Sequence, residues 1–330
     1  MPNVPNNSID QNCRVLTHDP AAQIPPAYEG LVTNAQFLAI KETVSNYSKL
    51  FRMRLRAKTG LESNLEGRAA VGLSLSNDVP PSLEDLIQKI THPVLRLKRL
   101  QPAIQATLLE SVRYEELLFD GIPGAGEILK LTDGDARTFH DYIEQLRRIT
   151  HILGEICLVE KLKEIDEDCF GAYFIDTRKI SIYWIPIAIF AQSIGISIEH
   201  LTKVTLIHEL AHGFTHVGRD INGKFWDTRA FTKSEPMLIE GLAQYYTAVL
   251  TKEMSNIDEQ NSLHDAYKML LKHQPPNYHG HVAWLEFDDK LIGEAIRFAL
   301  LEARQRDVPF SYDNFTDLIV GNLKRLRGNA

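Results

Sequence analysis

A mainly α-helical fold with one small β-sheet, an α+β arrangement, is what this chain predicts. Three observations carry that expectation. Apolar residues recur every three or four positions through most of the sequence. One stretch, Gly171 to Trp184, alternates with period two instead. Ser, Gly and Pro punctuate the periodic runs where helices start and end. With 44% hydrophobic residues among 330, the chain can bury a sizeable core in one large domain or two modest ones.

Residues 1–33 carry Pro2, Pro5, Pro20, Pro25 and Pro26 among Asn, Asp and Gln, and read as an extended or disordered tail. A helical N-terminal region is expected over 34–164. Phe37, Ile40, Val44, Tyr47 and Phe51 mark one buried face of a helix from Asn34 to about Lys58. A stretch with Gly and Asn follows to Pro81, and Ser82, backed by Glu84 and Asp85, starts another helix. Further helical patterns cover about 102–119 and 135–165. The loop GIPGAGE at 121–127 is followed by Ile128, and it has Glu127 where a phosphate loop needs Lys, so no phosphate site is expected.

Residues 165–330 form the second expected domain. GAYFID and KISIYW flank Thr177-Arg178 and read as a hairpin, with Ile180, Ile182 and Trp184 on one face. Pro186 opens a short helix through Gln192. Ser197 caps a long helix reaching about Val217, and Gly218 ends it. After a polar loop, Ser234 caps a helix with Glu235 and Pro236 in its first turn, where a missing N–H is harmless. Helical stretches near 258–273, 289–305 and 312–326 complete the chain.

A net charge of −7 gives no general attraction to nucleic acid or anionic lipid. The basic runs Arg52, Arg54, Arg56, Lys58 and Arg96, Lys98, Arg99 read as solvated faces of amphipathic elements. Cys13, Cys157 and Cys169 form neither a disulfide framework nor a thiolate metal site, which suits a reducing compartment. No apolar run reaches the length of a membrane span, and the N-terminus has no signal-peptide pattern. A cytoplasmic location is expected.

The chemistry centres on His208-Glu209-Leu210-Ala211-His212. Residues four apart share a helix face, so both imidazoles can address one metal ion. Glu209 lies about 100° round the helix, placed to reach a water on that metal without being a ligand. Zinc suits such a set, since it takes imidazole nitrogen and carboxylate oxygen at similar distances. The surrounding Leu201, Val204, Leu206, Ile207, Leu210, Ala211 and Phe214 bury the helix on most sides, where unpaired histidines would be costly.

A catalytic zinc needs a third protein ligand and an open position. His216, one turn beyond His212, is one candidate, though a helix-end histidine also suits the negative C-terminal dipole. Glu240, in Glu240-Gly241-Leu242-Ala243-Gln244-Tyr245-Tyr246, is the other. There Gly241 and Ala243 are small enough to let two helices approach.

These two blocks, HELAH and PMLIEGLAQY, resemble those of the gluzincin zinc metallopeptidases, with a zincin-like catalytic domain. The resemblance covers about residues 165–255. It implies His208, His212 and Glu240 as zinc ligands, Glu209 as general base, and the hairpin as strands beside the zinc. Gln244 stands where many gluzincins have an acid bonding a ligand histidine, a job left to a carboxylate elsewhere, such as Asp220 or Asp227, or to Gln244 itself as a weaker partner. Gly171-Ala172-Tyr173-Phe174-Ile175 lacks the acid with which the aminopeptidases hold a free amino terminus. Metzincins are excluded because their third histidine position is Gly218.

The function expected is zinc-dependent hydrolysis of a protein or peptide substrate, as an endopeptidase rather than an aminopeptidase. A zinc-binding regulatory protein with little proteolysis, or hydrolysis of a non-peptide amide, uses the same parts. A donor for the developing oxyanion is sought among Tyr245, Tyr246, Tyr278, His279 and His281, with Tyr246 and His281 put first. Each of these also suits plain packing or a polar turn. The helical region ahead of the hairpin is free to shape the cleft or receive a protein partner.

Overall fold

The computed structural model describes residues 24–28, 30–65, 68–69, 71–84, 87–88, 96, 99–100, 102, 137–138, 140–148, 169–257, 262–287 and 290–328. The glycine loop at 121–127, Cys13, Cys157 and the expected tail before Ile24 lie outside them, as does nearly all of the expected helix at 102–119. The described chain is mainly helical with a small sheet, as the periodicity predicts.

Contacts divide the chain into two units, and the expected region 34–164 is shared between them. Asn34–Pro80 joins Val159–Ala330 in one unit, while Ile24–Thr33 and Pro81–Leu158 belong to the other. Where described, the second unit is helical at 81–84 and 140–148, and Arg96 pairs with Asp141 at 3.2 Å.

The first unit is built around one buried helix. Its elements are α1 (Asn34–Thr59), β1 (Asn64–Leu65), β2 (Arg68–Ala69), β3 (Gly72–Ser76), β4 (Gly171–Phe174), β5 (Lys179–Tyr183) and α2 (Trp184–Ser193). Then come α3 (Ile198–Val217), α4 (Thr228–Lys233), α5 (Pro236–Ile257), α6 (Ser262–Leu271), α7 (Gly280–Leu285), α8 (Ile292–Gln305) and α9 (Tyr312–Gly328). A 3-10 turn, Pro276–His279, leads into α7. Helix α3 packs against α1, α5 and α6 and against the sheet, so every residue from Leu201 to Val217 is buried.

Both ends of α3 follow the sequence signals. Ser197 Oγ accepts from His200 N at 3.1 Å, and the Gly218 N–H returns to Phe214 O at 3.1 Å. A side chain at 218 would collide with Phe214 O, so the close approach there requires glycine. The one cation in the middle of the helix, Lys203, is paired with Glu199 at 2.6 Å and lies 3.9 Å over the Tyr47 ring.

The expected hairpin is β4 and β5, antiparallel with Gly171 opposite Ile182. The sequence pattern did not reveal β3, which pairs parallel to β5 and gives the order β3-β5-β4. Its five residues, GLSLS, have too short an alternation to stand out in a Gly- and Ser-containing stretch.

Three other expectations change. Ser234 ends α4 instead of capping α5: its hydroxyl donates to Ala230 O at 2.8 Å and accepts from Phe310 N at 3.0 Å. Gly241 makes room for Trp284 of α7, whose ring would lie 3.2 Å from a Cβ there. Arg52 is buried and donates to Val71 O at 2.9 Å and Arg54 is half-buried against Glu253, whereas Arg56 and Lys58 do lie outside, pairing with Glu62 and Glu253. No helix among the described residues is long and apolar enough to cross a membrane.

Candidate metal centre

Helix α3 presents His208 and His212 one turn apart, with rings edge to face and centroids 4.6 Å apart. Their Nε2 atoms are separated by 3.1 Å. From α5, Glu240 Oε2 reaches to 3.2 Å from His208 Nε2 and 3.4 Å from His212 Nε2. Three donor atoms from two helices therefore face one point, and these residues form a group able to hold a metal ion. Four ligands placed tetrahedrally at about 2.0–2.1 Å from a zinc ion lie about 3.3 Å from one another, the spacing these atoms already have.

The local chemistry agrees. Glu240 Oε2 is buried with no hydrogen-bond partner, although it faces both imidazoles at ion-pair distance. Burial alone would raise the Glu240 carboxyl, but the facing His212 and His208 overcome it and hold it well below the usual carboxylate range. Two imidazole nitrogens and a carboxylate oxygen converging on one point form an arrangement that a cation can bridge.

Glu209 is buried on the adjacent face of α3. It abuts the start of β4, because a Cβ built on Gly171 would lie 3.0 Å from Glu209 Cγ and 3.0 Å from Thr205 Cγ2. Glu209, His208 and Gly171 together line an open cavity, completed by Phe170, Val204, Thr205, Gln244, Gln274 and Tyr278 among others.

No known protein family, curated protein or solved structure matches this chain. Its chemistry is read from its own residues.

His216 is not part of the metal group. Its Nδ1 meets Tyr173 Oη at 2.9 Å, its Nε2 meets Thr228 Oγ1 at 3.1 Å, and its ring stacks on Phe231 at 4.6 Å. Burial, then the charges of Arg178 and Arg304, push its pKa down to about 4. Asp220 and Asp227 are also committed elsewhere. Asp220 Oδ1 accepts from Asn222 N and Lys224 N, each at 2.9 Å, and Asp227 caps α4 through Ala230 N at 2.9 Å. Gln244, one turn past Glu240, donates to Gln274 Oε1 at 2.9 Å, and His208 Nδ1 is buried with no partner.

The two residues put first as oxyanion donors are not among those lining the cavity. Tyr246 is buried beside Tyr245, ring centroids 5.2 Å apart, with a hydroxyl that has no partner and a phenol raised by burial. Six residues past Glu240, it sits about 240° round α5 and so on another face. His281 lies one layer behind the cavity. Its Nδ1 meets Tyr278 O at 3.1 Å, which requires an N–H there, so Tyr267 Oη donates to its Nε2 at 2.6 Å. Burial is the chief reason its pKa falls to about 4.

The residue placed against the metal group is Tyr278, stacked on His208 at 5.7 Å and 23°. Thr205 and Gln274 also reach the cavity and had not been singled out. Thr205 carries a readable signal: it stands three residues before His208 and four before Glu209, on the same side of a buried helix. Gln274 follows α6 in a turn, and nothing local marks it.

Proposed function

We propose that this protein is a zinc-dependent peptidase of the gluzincin kind, with His208, His212 and Glu240 as zinc ligands and Glu209 as the general base. The observation that carries the reading is the convergence of two imidazole nitrogens and one carboxylate oxygen at 3.1, 3.2 and 3.4 Å, beside an open cavity lined by a separate carboxylate. Two histidines and a carboxylate, with no thiolate, favour zinc over softer or purely oxygen-seeking ions. Zinc, when bound, supplies Lewis acidity that makes water nucleophilic near neutral pH and polarises a carbonyl.

The chain's own groups do the remaining work. Glu209 takes a proton from the attacking water on a carboxylate oxygen and delivers it to the leaving amine nitrogen. Gly171 lets strand β4 come against Glu209, which holds that carboxylate in one place. Strand β4 pairs only with β5 among the described residues, leaving its other edge toward an extended substrate. That strand, GAYF, contains no carboxylate to hold a free amino terminus, which favours endopeptidase over aminopeptidase action.

The test is metal content together with cleavage of a proteome-derived peptide library. Wild-type protein loaded with zinc is expected to cleave a defined subset of peptides. Glu209→Gln is expected to keep its zinc and to lose at least about 100-fold in rate, the loss of a general base. Full turnover by Glu209→Gln, or a protein that does not take up zinc, removes the assignment.

A further inference from the structure

Two side chains that line the cavity, neither of them in the metal group, each carry a buried polar atom without a hydrogen-bond partner. Thr205 is only 5% exposed, and its Oγ1 makes no hydrogen bond. On the same buried helices Thr202, Thr215, Thr247 and Thr251 each return their hydroxyl to the carbonyl four residues back. Thr205 departs from that habit, with its methyl against Gly171. Gln244 is 2% exposed; its amide donates to Gln274 and its Oε1 has no partner. Both line the cavity shared with His208 and Glu209.

Buried polar groups are nearly always paired, so two orphans on side chains that line one cavity point to a ligand that pairs them. The chemistry of that ligand follows from the wall. Gln244 Oε1 needs a donor, and the Thr205 hydroxyl takes either a donor or an acceptor. Among the described residues no Lys or Arg lines the cavity to match a carboxylate, and an ammonium would be drawn to Glu209, the proposed base. A purely aliphatic group would leave both orphans unpaired.

We propose that this cavity recognises a side-chain carboxamide, Asn or Gln, of the substrate peptide, held by Thr205 and Gln244. A carboxamide offers a donor and an acceptor together, so it pairs with the Gln244 amide whichever way that amide faces and also bonds the threonine hydroxyl. The pocket rests on the peptidase reading for its ligand being a peptide.

The test separates the two ideas. Dansylated Ala-Ala-X-Ala-Ala peptides, with X as Gln, Asn, Leu, Lys or Glu, are titrated by fluorescence anisotropy into zinc-loaded Glu209→Gln protein. The same peptides are offered to wild-type protein for cleavage. Gln or Asn is expected to bind about tenfold more tightly than Leu, the discrimination that a paired against an unpaired buried group gives. Thr205→Val and Gln244→Leu, each added to that protein, are expected to bring the ratio toward equality. Thr205→Val preserves shape and carries the test if Gln244→Leu fails to fold. Leu, Lys or Glu binding as well as Gln and Asn overturns the pocket. Cleavage without preference sinks the pocket and leaves the peptidase. Preferential binding without any cleavage by wild type sinks the peptidase and leaves the pocket.

Discussion

Gly171→Ala tests the claim that strand β4 fixes the base. The new methyl would meet Glu209 Cγ at 3.0 Å, Thr205 Cγ2 at 3.0 Å and Ser181 O at 3.2 Å. Carbon atoms rest at about 3.5–4.0 Å from one another, so roughly half an ångström or more must be found. Ser181 O belongs to the strand partnered with β4, and Thr205 is a β-branched residue in a fully buried helix. Glu209, with the longer and unbranched side chain, is the group that gives way. A displacement of about 1 Å from productive geometry lowers rate by about 100-fold. The ligands lie on other faces of the two helices, so zinc content is expected to stay unchanged. Overpacking is expected to lower stability by about 1–3 kcal/mol. Peptide hydrolysis, zinc per chain and a urea melt on the same preparation give the three numbers. Wild-type turnover in Gly171→Ala, or a loss of turnover explained entirely by lost zinc, refutes the reasoning.

Glu240→Ala removes the only carboxylate in the metal group, and zinc affinity is expected to fall by more than the 10–100-fold typical of an outer partner's loss, about 100-fold or more; zinc retained after dialysis would mean that another donor completes the shell. Acid should destabilise the protein through His216 and His281, whose folded pKa values near 4 lie below the ordinary 6.5. Between about pH 6.5 and 4 the unfolded chain binds more protons at these sites, so stability falls as pH falls, by up to about 3 kcal/mol for each fully buried histidine. Urea midpoints across that range check the slope, and a flat profile contradicts the buried neutral assignment. Arg304→Met leaves Gly218 O and Lys224 O without the buried guanidinium that joins them, and a loss of about 3 kcal/mol is expected in the same melt; a loss below about 0.5 kcal/mol would show that the loop after α3 does not depend on it.

The parts of the site that rest on one helix were legible in the sequence, and those that need two or three distant segments were not. His208, His212 and Glu209 follow from a fixed helical period, and Ser197 and Gly218 mark the ends of that helix by local backbone chemistry. Glu240 was found because its own helix has a charge on a buried side. Thr205 and Gln244 gained meaning only when β4, α3 and α5 were brought round one cavity, since each is an ordinary helix residue by itself. Tyr246 and His281 were put forward on proximity in sequence to Glu240 and to a His-rich loop. Helical phase carries the first to another face, and the Tyr267 and Tyr278 contacts hold the second one layer back. Strand β3 was hidden for a similar reason: its partner, β5, lies more than a hundred residues away, at Gly72 opposite Lys179.

The metal group owes its shape to packing that does not involve a metal. Leu201, Leu206, Ile207, Leu210 and Ala211 are fully buried, so α3 is held by aliphatic contacts along the length that carries the histidines. On α5, Leu238 and Leu242 on either side of Glu240 are equally buried. The frame is therefore set by the hydrophobic core, unlike small zinc domains in which metal binding supplies the folding energy. What the core cannot neutralise is local: a carboxylate and two imidazoles pressed together along the seam between α3 and α5, with Glu240 Oε2 and His208 Nδ1 buried and unpaired. A core-set frame that keeps these groups in an unfavourable juxtaposition is the arrangement the proposed metal-binding role requires.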